Sequence, residues 1–214
     1  MKIALLCYHK NISTLYPHEW IEQFRNSIQN QTYKDFDILE LCYGSGGERI
    51  FEESQYIMKQ CETFVHGMNY LIQLAIEKGY DYVINTNVDD LYSPHRIERQ
   101  LPYLQEGYDI VSSNFMLIRA DGTNYLRQEF DELNLEVELQ KSHNIIAHPS
   151  VCYSKNFFTK CEYRPEDIPR EDLFLWQRAI KEEMKFKIVP EILLYHRLHG
   201  NMVSGTNTDR TIIT

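Results

Sequence analysis

What this chain lacks narrows the field before any motif is read. No stretch approaches the ~18 consecutive apolar residues that a membrane-spanning helix requires. The opening apolar run is cut off at His9 and Lys10, too early for a secretion signal. The cysteines, Cys7, Cys42, Cys61, Cys152 and Cys161, are odd in number, widely spaced and free of any CxxC pair. That pattern argues against a disulfide frame or a zinc site and for buried thiols in a reducing compartment, so a soluble, cytoplasmic protein is expected. Positive charge is in deficit: 22 Lys and Arg against 31 Asp and Glu leave a net charge of -9, the wrong sign for a nucleic-acid partner. A small anionic ligand remains compatible with that balance, because a metal or an arginine can reverse the field inside a cleft. Repeats, low-complexity segments and interdomain linkers are missing. The glycine-rich turn at 44–47 has no lysine after it, which argues against a nucleotidyltransferase, and His18-Glu19 lacks the second histidine of a HExxH protease. What remains, 214 residues at 43% hydrophobic and 25% charged, suits one α/β domain with a substantial core.

Strand and helix patterns alternate through the first half. Residues 2–8 form a nearly continuous apolar run, as in a buried parallel strand. Over 18–30, Trp20, Ile21, Phe24 and Ile28 recur on one helical face. A second strand is predicted at 37–43, helices at 48–59 and 67–78, and a third strand at 80–86 that runs into Asn87-Val88-Asp89-Asp90. Ser93 reads as the N-cap, and Pro94 as the first residue, of a helix reaching about 104. A further strand is expected at 108–113. The second half predicts a hairpin over 115–127 turning at Asp121-Gly122, an extended stretch at 143–155, an amphipathic helix at 170–184 and a last strand at 186–197. This order implies a mostly parallel sheet with right-handed crossovers. Ligands in such sheets bind beyond the carboxyl ends of the strands, where Tyr8, Tyr43 and Asp89 all fall.

Asn87, Asp89 and Asp90 place two carboxylates and an amide where a strand opens into a loop, with no adjacent Lys or Arg to pair them. Such a set suits a hard cation, Mn²⁺ or Mg²⁺. Helix capping is the plainer reading, which Ser93 weakens by supplying a cap already. Residues 82–90 (Tyr-Val-Ile-Asn-Thr-Asn-Val-Asp-Asp), followed by Ser93-Pro94-His95-Arg96-Ile97, resemble the DxD segment of family-2-type glycosyltransferases with the GT-A fold. In that resemblance Asp89 is the metal-binding carboxylate. Asn87 replaces the family's first aspartate; with Asp90 it belongs to the donor site, hydrogen-bonding a ribose or a metal-bound water.

The likeness continues in the second half. Arg170-Glu171-Asp172-Leu173 and the residues after it resemble the family's Glu-Asp motif, and residues 186–201 resemble its closing strand with a Tyr-Arg-x-His-Gly-Asn signature. The resemblance implies a GT-A fold, a mostly parallel sheet flanked by helices with a small antiparallel element. It makes residues 1–200 one domain, with a nucleotide-binding half at 1–113, an acceptor and catalytic half at 114–200, and a flexible tail at 201–214. It implies an inverting transfer from a nucleotide sugar, a UDP-sugar first among donors, to a glycan, lipid-linked or protein acceptor. Asp172 is the expected base, with Glu171 as alternative base or acceptor orienter; His199 is an expected metal ligand and Arg197 faces the diphosphate. Tyr8, His9, Cys42, Tyr43 and Asn69 are the donor residues expected at the nucleotide end. Two departures stand out: Cys42-Tyr43 replaces an aspartate that reads the base, and Met68 stands where an arginine is common. They motivate the alternative of a GT-A-like nucleotide- or sugar-binding protein without catalysis. For Glu171 and Asp172 the competing reading is structural, since acids in a first helical turn oppose the macrodipole.

Overall fold

The structure, a computed structural model, describes residues 1–200; the tail expected at 201–214 lies outside them. The chain opens with β1 (Ile3–His9), the one-turn α1 (Ile12–Leu15) and α2 (His18–Gln29). β2 (Asp37–Cys42) and β3 (Gln55–Met58) lead into α3 (Phe64–Glu77), whose start is capped by the Thr63 side chain. Next come β4 (Tyr82–Asn85), the short β5 (Leu91–Tyr92), α4 (Arg96–Gln105) and the hairpin of β6 (Ile110–Ile118) with β7 (Asn124–Gln128). The remainder comprises α5 (Leu135–Gln140), β8 (Cys152–Ser154), α6 (Lys155–Phe158), α7 (Glu171–Lys181) and β9 (Phe186–Arg197).

Among the described residues the strands form one sheet, ordered β3-β2-β1-β4-β8-β6-β9-β5, with β7 added on β6. β1 to β4 pair in parallel, as do β6 and β9, while β8, β5 and β7 run antiparallel to their neighbours. This is the expected α/β sheet with an antiparallel element. The two faces follow from strand alternation. Ala4 and Leu6 of β1 pack with Leu71 of α3 and Trp176 of α7. Ile3, Leu5 and Cys7 pack on the other side with Phe24 of α2 and Leu101 of α4.

Two local expectations give way to long-range partners. The helix predicted at 48–59 is instead a loop followed by β3, because the buried Glu40 carboxylate accepts from the backbone N–H groups of Ile50 and Phe51 (2.5 and 3.1 Å) and from Ser54 Oγ (2.7 Å). Those bonds pin the 48–54 loop against β2, and 55–58 is taken into the sheet by its parallel pairing with β2. The cap at Ser93 is also displaced: α4 begins at Arg96, the cap position falls to His95, and Ser93 contributes its backbone carbonyl to Arg96 N at 3.0 Å.

Candidate active site

The carboxyl end of β4 turns sharply, with Asp90 N donating to Asn87 O (3.3 Å), and re-enters the sheet as β5. β5 pairs antiparallel with the far end of β9, Leu91 opposite Tyr195 and Tyr92 opposite Leu194. That register brings Asp90 against residues 106 and 107 positions later. Its Oδ1 accepts from Arg197 N (2.9 Å) and lies 3.0 Å from His196 Nδ1, while its Oδ2 is buried without a partner. Asp90 is fully buried, which raises its pKa; the charge of His196 opposes the shift and that of Asp89 adds to it. One residue earlier, Asp89 Oδ2 lies 2.8 Å from His199 Nε2. The expected pair therefore meets across 110 positions of sequence.

Two aromatic residues outside the predicted site wall this pair. The rings of Tyr16 and Trp20 lie 5.6 and 5.1 Å from that of His199. Burial raises the pKa of the Tyr16 phenol, and the nearby charge of Asp89 raises it further. Sequence periodicity places Trp20 only on the core face of α2, and local sequence carries no sign of its meeting with His199. Its indole N–H donates to Ala120 O (3.1 Å). Arg197 is placed differently from the expectation. It is 1% exposed, its Nε donates to Asp89 O (3.0 Å), and its terminal nitrogens donate to Ala120 O (3.0 Å) and Gln23 Oε1 (2.8 Å), all beneath the ring of Trp20. Its guanidinium is spent on holding the Asp89 turn instead of facing a diphosphate.

Strand alternation sorts the nucleotide end. Tyr8 and Tyr43 are half-buried on the α3 side, and Tyr8 Oη donates to Asn87 Oδ1 (3.0 Å). Burial pushes the Tyr43 phenol up to about 12. His9 and Cys42, one position on and one back, point into the interior. His9 Nε2 lies 3.0 Å from Glu40 Oε1, with both side chains fully buried, and Cys42 is 0% exposed. These two are corrected from ligand contacts to internal packing. Gly44 lets the turn after β2 close on β1, since a Cβ there would stand 2.7 Å from that of Lys10. Asn69 is likewise occupied: its Nδ2 donates to Tyr163 O (2.8 Å) and its Oδ1 accepts from Tyr163 N (3.2 Å), a clasp between α3 and the 161–164 segment.

Tyr163 leads to the other acidic group. Its buried hydroxyl is 2.7 Å from His148 Nε2 and bonds the hydroxyl of Tyr153. Burial drives the His148 pKa down to about 4 against the opposing pull of Asp172, so this imidazole is neutral at ordinary pH. At the start of α7, Asp172 is partly exposed; its Oδ2 accepts from Asn144 Nδ2 (2.6 Å) and its Oδ1 from Leu173 N (2.7 Å). Glu171 is 8% exposed with Oε2 unpartnered, and burial first, then Asp172 and Asp167, push its pKa up to about 7. Tyr8 joins the two ends: its hydroxyl is bonded to Asn87, and its ionisation is opposed by burial, by neighbouring tyrosines and by Glu171.

Among the described residues no cluster of three or more His, Cys, Asp or Glu side chains is arranged around a metal position. Asp89 and His199 nevertheless fit a cation shared with a diphosphate. Mg²⁺ and Mn²⁺ bind through one or two protein groups when phosphate oxygens and water fill the remaining positions, and a carboxylate beside an imidazole suits Mn²⁺.

A parallel β1–β4 half, an acidic turn at the end of β4 and a late strand that completes it together define the GT-A glycosyltransferase fold. The chain belongs to the family described as Glycosyl transferase family 2, whose model matches residues 12–163. It is 26% identical over 195 residues to an uncharacterized glycosyltransferase of Methanocaldococcus jannaschii, spanning 85% of this chain and 67% of that protein. To the O-antigen biosynthesis glycosyltransferase WbnJ of Escherichia coli it is 24% identical over 185 residues, 82% of this chain and 73% of WbnJ. Among solved structures, S. aureus TarS 1-349 in complex with UDP-GlcNAc superposes with a TM-score of 0.69 at 14% identity, covering 95% of this chain and 60% of TarS. The mannosyltransferase PcManGT of Pyrobaculum calidifontis, in complex with GDP-Man and Mn2+, gives 0.67 at 12% identity, covering 94% and 58%. The chain thus spans about three-fifths of the solved structures it resembles. Among the described residues no helix is long and apolar enough to cross a membrane.

Proposed function

We propose that this chain transfers a sugar from a nucleoside-diphosphate sugar to an acceptor hydroxyl with inversion at the anomeric carbon. The observation that carries the reading is the contact of Asp89 with His199 at the carboxyl end of β4, beside Tyr8, whose hydroxyl bonds Asn87 and which feels the charge of Glu171, the neighbour of Asp172. Asp89 and His199 would hold Mn²⁺ or Mg²⁺, which when bound supplies positive charge to the departing diphosphate. Asp172 takes the proton from the acceptor hydroxyl as that oxygen attacks the face opposite the leaving group. Asn144 Nδ2 and the backbone N–H of Leu173 fix the carboxylate. Glu171, whose burial raises its pKa to about 7, retains a proton below neutrality and can there donate a hydrogen bond that orients the acceptor. Tyr8 and Tyr43 offer rings for a nucleobase and Asn87 completes the donor side, whereas Asp90, fully buried and bonded to Arg197 N and His196, is corrected from a donor contact to a residue that shapes the turn.

Proteins of the same fold solved in complex with UDP-GlcNAc and with GDP-Man support a nucleotide-sugar donor; a UDP-sugar is the first to test, and the WbnJ likeness supports a glycan acceptor. The cysteines are free thiols, four of them buried, in keeping with the cytoplasm. The domain assignment follows the same reading, with donor binding in 1–113 and acceptor chemistry in 114–200. The test is nucleotide release from a panel of donors with Mn²⁺. Asp172→Asn should lose about 10²–10⁴-fold in turnover while still binding the donor; full turnover in that variant would remove Asp172 from the base role.

A further inference from the structure

Away from the Asp89 turn, α3, the 158–164 segment and the second half of α7 line an open hollow of about 570 Å³. That size falls within the roughly 300–1,000 Å³ typical of small-molecule sites. Its inner wall is apolar, formed by Ile72, Ile76 and Phe158, and its rim carries Lys160, Arg164 and Lys181. All three cations are exposed, and none has an ion pair or side-chain hydrogen bond within the described residues. Partners stand nearby, since Glu162 and Glu182 share the rim, yet neither pairs with them. Arg178 is already used, donating to Asp167 Oδ2 (2.6 Å) and Glu162 O (3.1 Å), which braces α7 against the opposite wall. In a chain of net charge -9, three cations without ion pairs, set against Glu162 and Glu182 on the same rim, leave this concavity locally short of negative charge.

We propose that this hollow is a second saccharide site, taking a sugar unit that bears a phosphate or carboxylate, and that it engages an anionic stretch of the acceptor glycan away from the transfer point. The apolar wall receives the C–H face of the ring, Thr159 and Gln73 reach its hydroxyls, and the rim cations bind the anionic group with charge-assisted hydrogen bonds. The hollow is tied to the candidate active site by the Asn69 clasp, because Asn69 lines it and holds the backbone of Tyr163, whose buried hydroxyl bonds His148. Lys181 lies nine residues beyond Asp172 on α7, about 14 Å along the helix axis, so an occupant sits within oligosaccharide reach of the base. The assignment to an acceptor rests on the transferase reading; the existence of the site does not.

Isothermal titration with glucose 1-phosphate and with glucuronate, in saturating UDP and Mn²⁺, tests it. Both anions should bind saturably, neutral glucose should not, and the triple variant Lys160→Glu, Arg164→Glu, Lys181→Glu should weaken binding by at least about tenfold. The milder triple change to Gln should fall between them, with melting temperature and donor hydrolysis unchanged in both variants. Lack of saturable anion binding, equal binding in the charge-reversed variant, or displacement by UDP would overturn the site. Inorganic phosphate binding as tightly as glucose 1-phosphate would overturn its saccharide character. Failure of UDP itself to bind counts against the transferase reading, whereas the comparison of wild type with the triple variants still reads the hollow.

Discussion

Burial separates two adjacent carboxyls at the start of α7. Asp172 keeps contact with solvent and with the amide of Asn144, whereas Glu171 is enclosed with one oxygen unpartnered. A carboxyl whose folded pKa is raised from 4.5 to about 7 binds its proton more tightly in the native state than in the unfolded chain. Between those two values the unfolded state has released a proton that the folded state retains, so stability falls as pH rises through that window. Glu171→Gln should flatten the fall and leave the variant more stable than wild type at pH 8, by on the order of 1–3 kcal/mol. Urea melts at pH 5 and pH 8 measure this directly; parallel pH dependences in the two proteins would mean that Glu171 ionises normally. If Glu171 orients the acceptor, the same substitution raises the acceptor KM more than it lowers kcat.

At the scale of elements, β9 organises the acidic turn. It pairs with β6 along its length and with β5 near its end, and Arg197 extends the grip to α2 through Gln23 and Trp20. Removing that guanidinium in Arg197→Met takes the side-chain donor from the Asp89 carbonyl and leaves Ala120 O with the Trp20 indole alone. The expected destabilisation is on the order of 2–4 kcal/mol, with weaker Mn²⁺ binding even without donor. Manganese titration of the purified variant is the measurement, and unchanged affinity at lowered stability would reduce Arg197 to a structural brace. β9 was legible from sequence to its boundaries, and α2 within a residue, because each carries its own periodicity over many residues. The 48–59 stretch was not, since its backbone donors are claimed by Glu40, a residue on another strand. His9, Cys42, Asn69 and Arg197 mark a similar boundary. Motif position located each beside the crevice, but side-chain direction and the partner that captures each polar group depend on tertiary neighbours. Tyr16 and Trp20 escaped notice because nothing in their local sequence says that a strand ending 180 residues later will dock there.

Over the whole molecule, the sheet with helices on both faces was readable from the β-α-β alternation, while the antiparallel insertion of β8 between β4 and β6 was not. A three-residue strand carries too little pattern to declare its neighbours. The proposed donor site makes a global prediction. A UDP-sugar should raise the melting temperature only with Mn²⁺ or Mg²⁺ present, EDTA should reverse the rise, and Asp89→Asn should show neither response; at a hundredfold excess over Kd the stabilisation is about 2.7 kcal/mol. Equal stabilisation in EDTA would place the donor elsewhere or make its binding independent of metal.

The pairing of β5 with β9 also has a bearing on how the chain acquires its activity. A growing polypeptide that has not yet emitted Phe186 already contains Asp89, but the turn bearing it lacks the strand that shapes it and the imidazole that faces it. At the proposed donor site, binding would therefore wait until the last strand has docked. Metal-dependent nucleotide binding can then serve as a readout of completed folding, separating finished molecules from compact but unfinished ones.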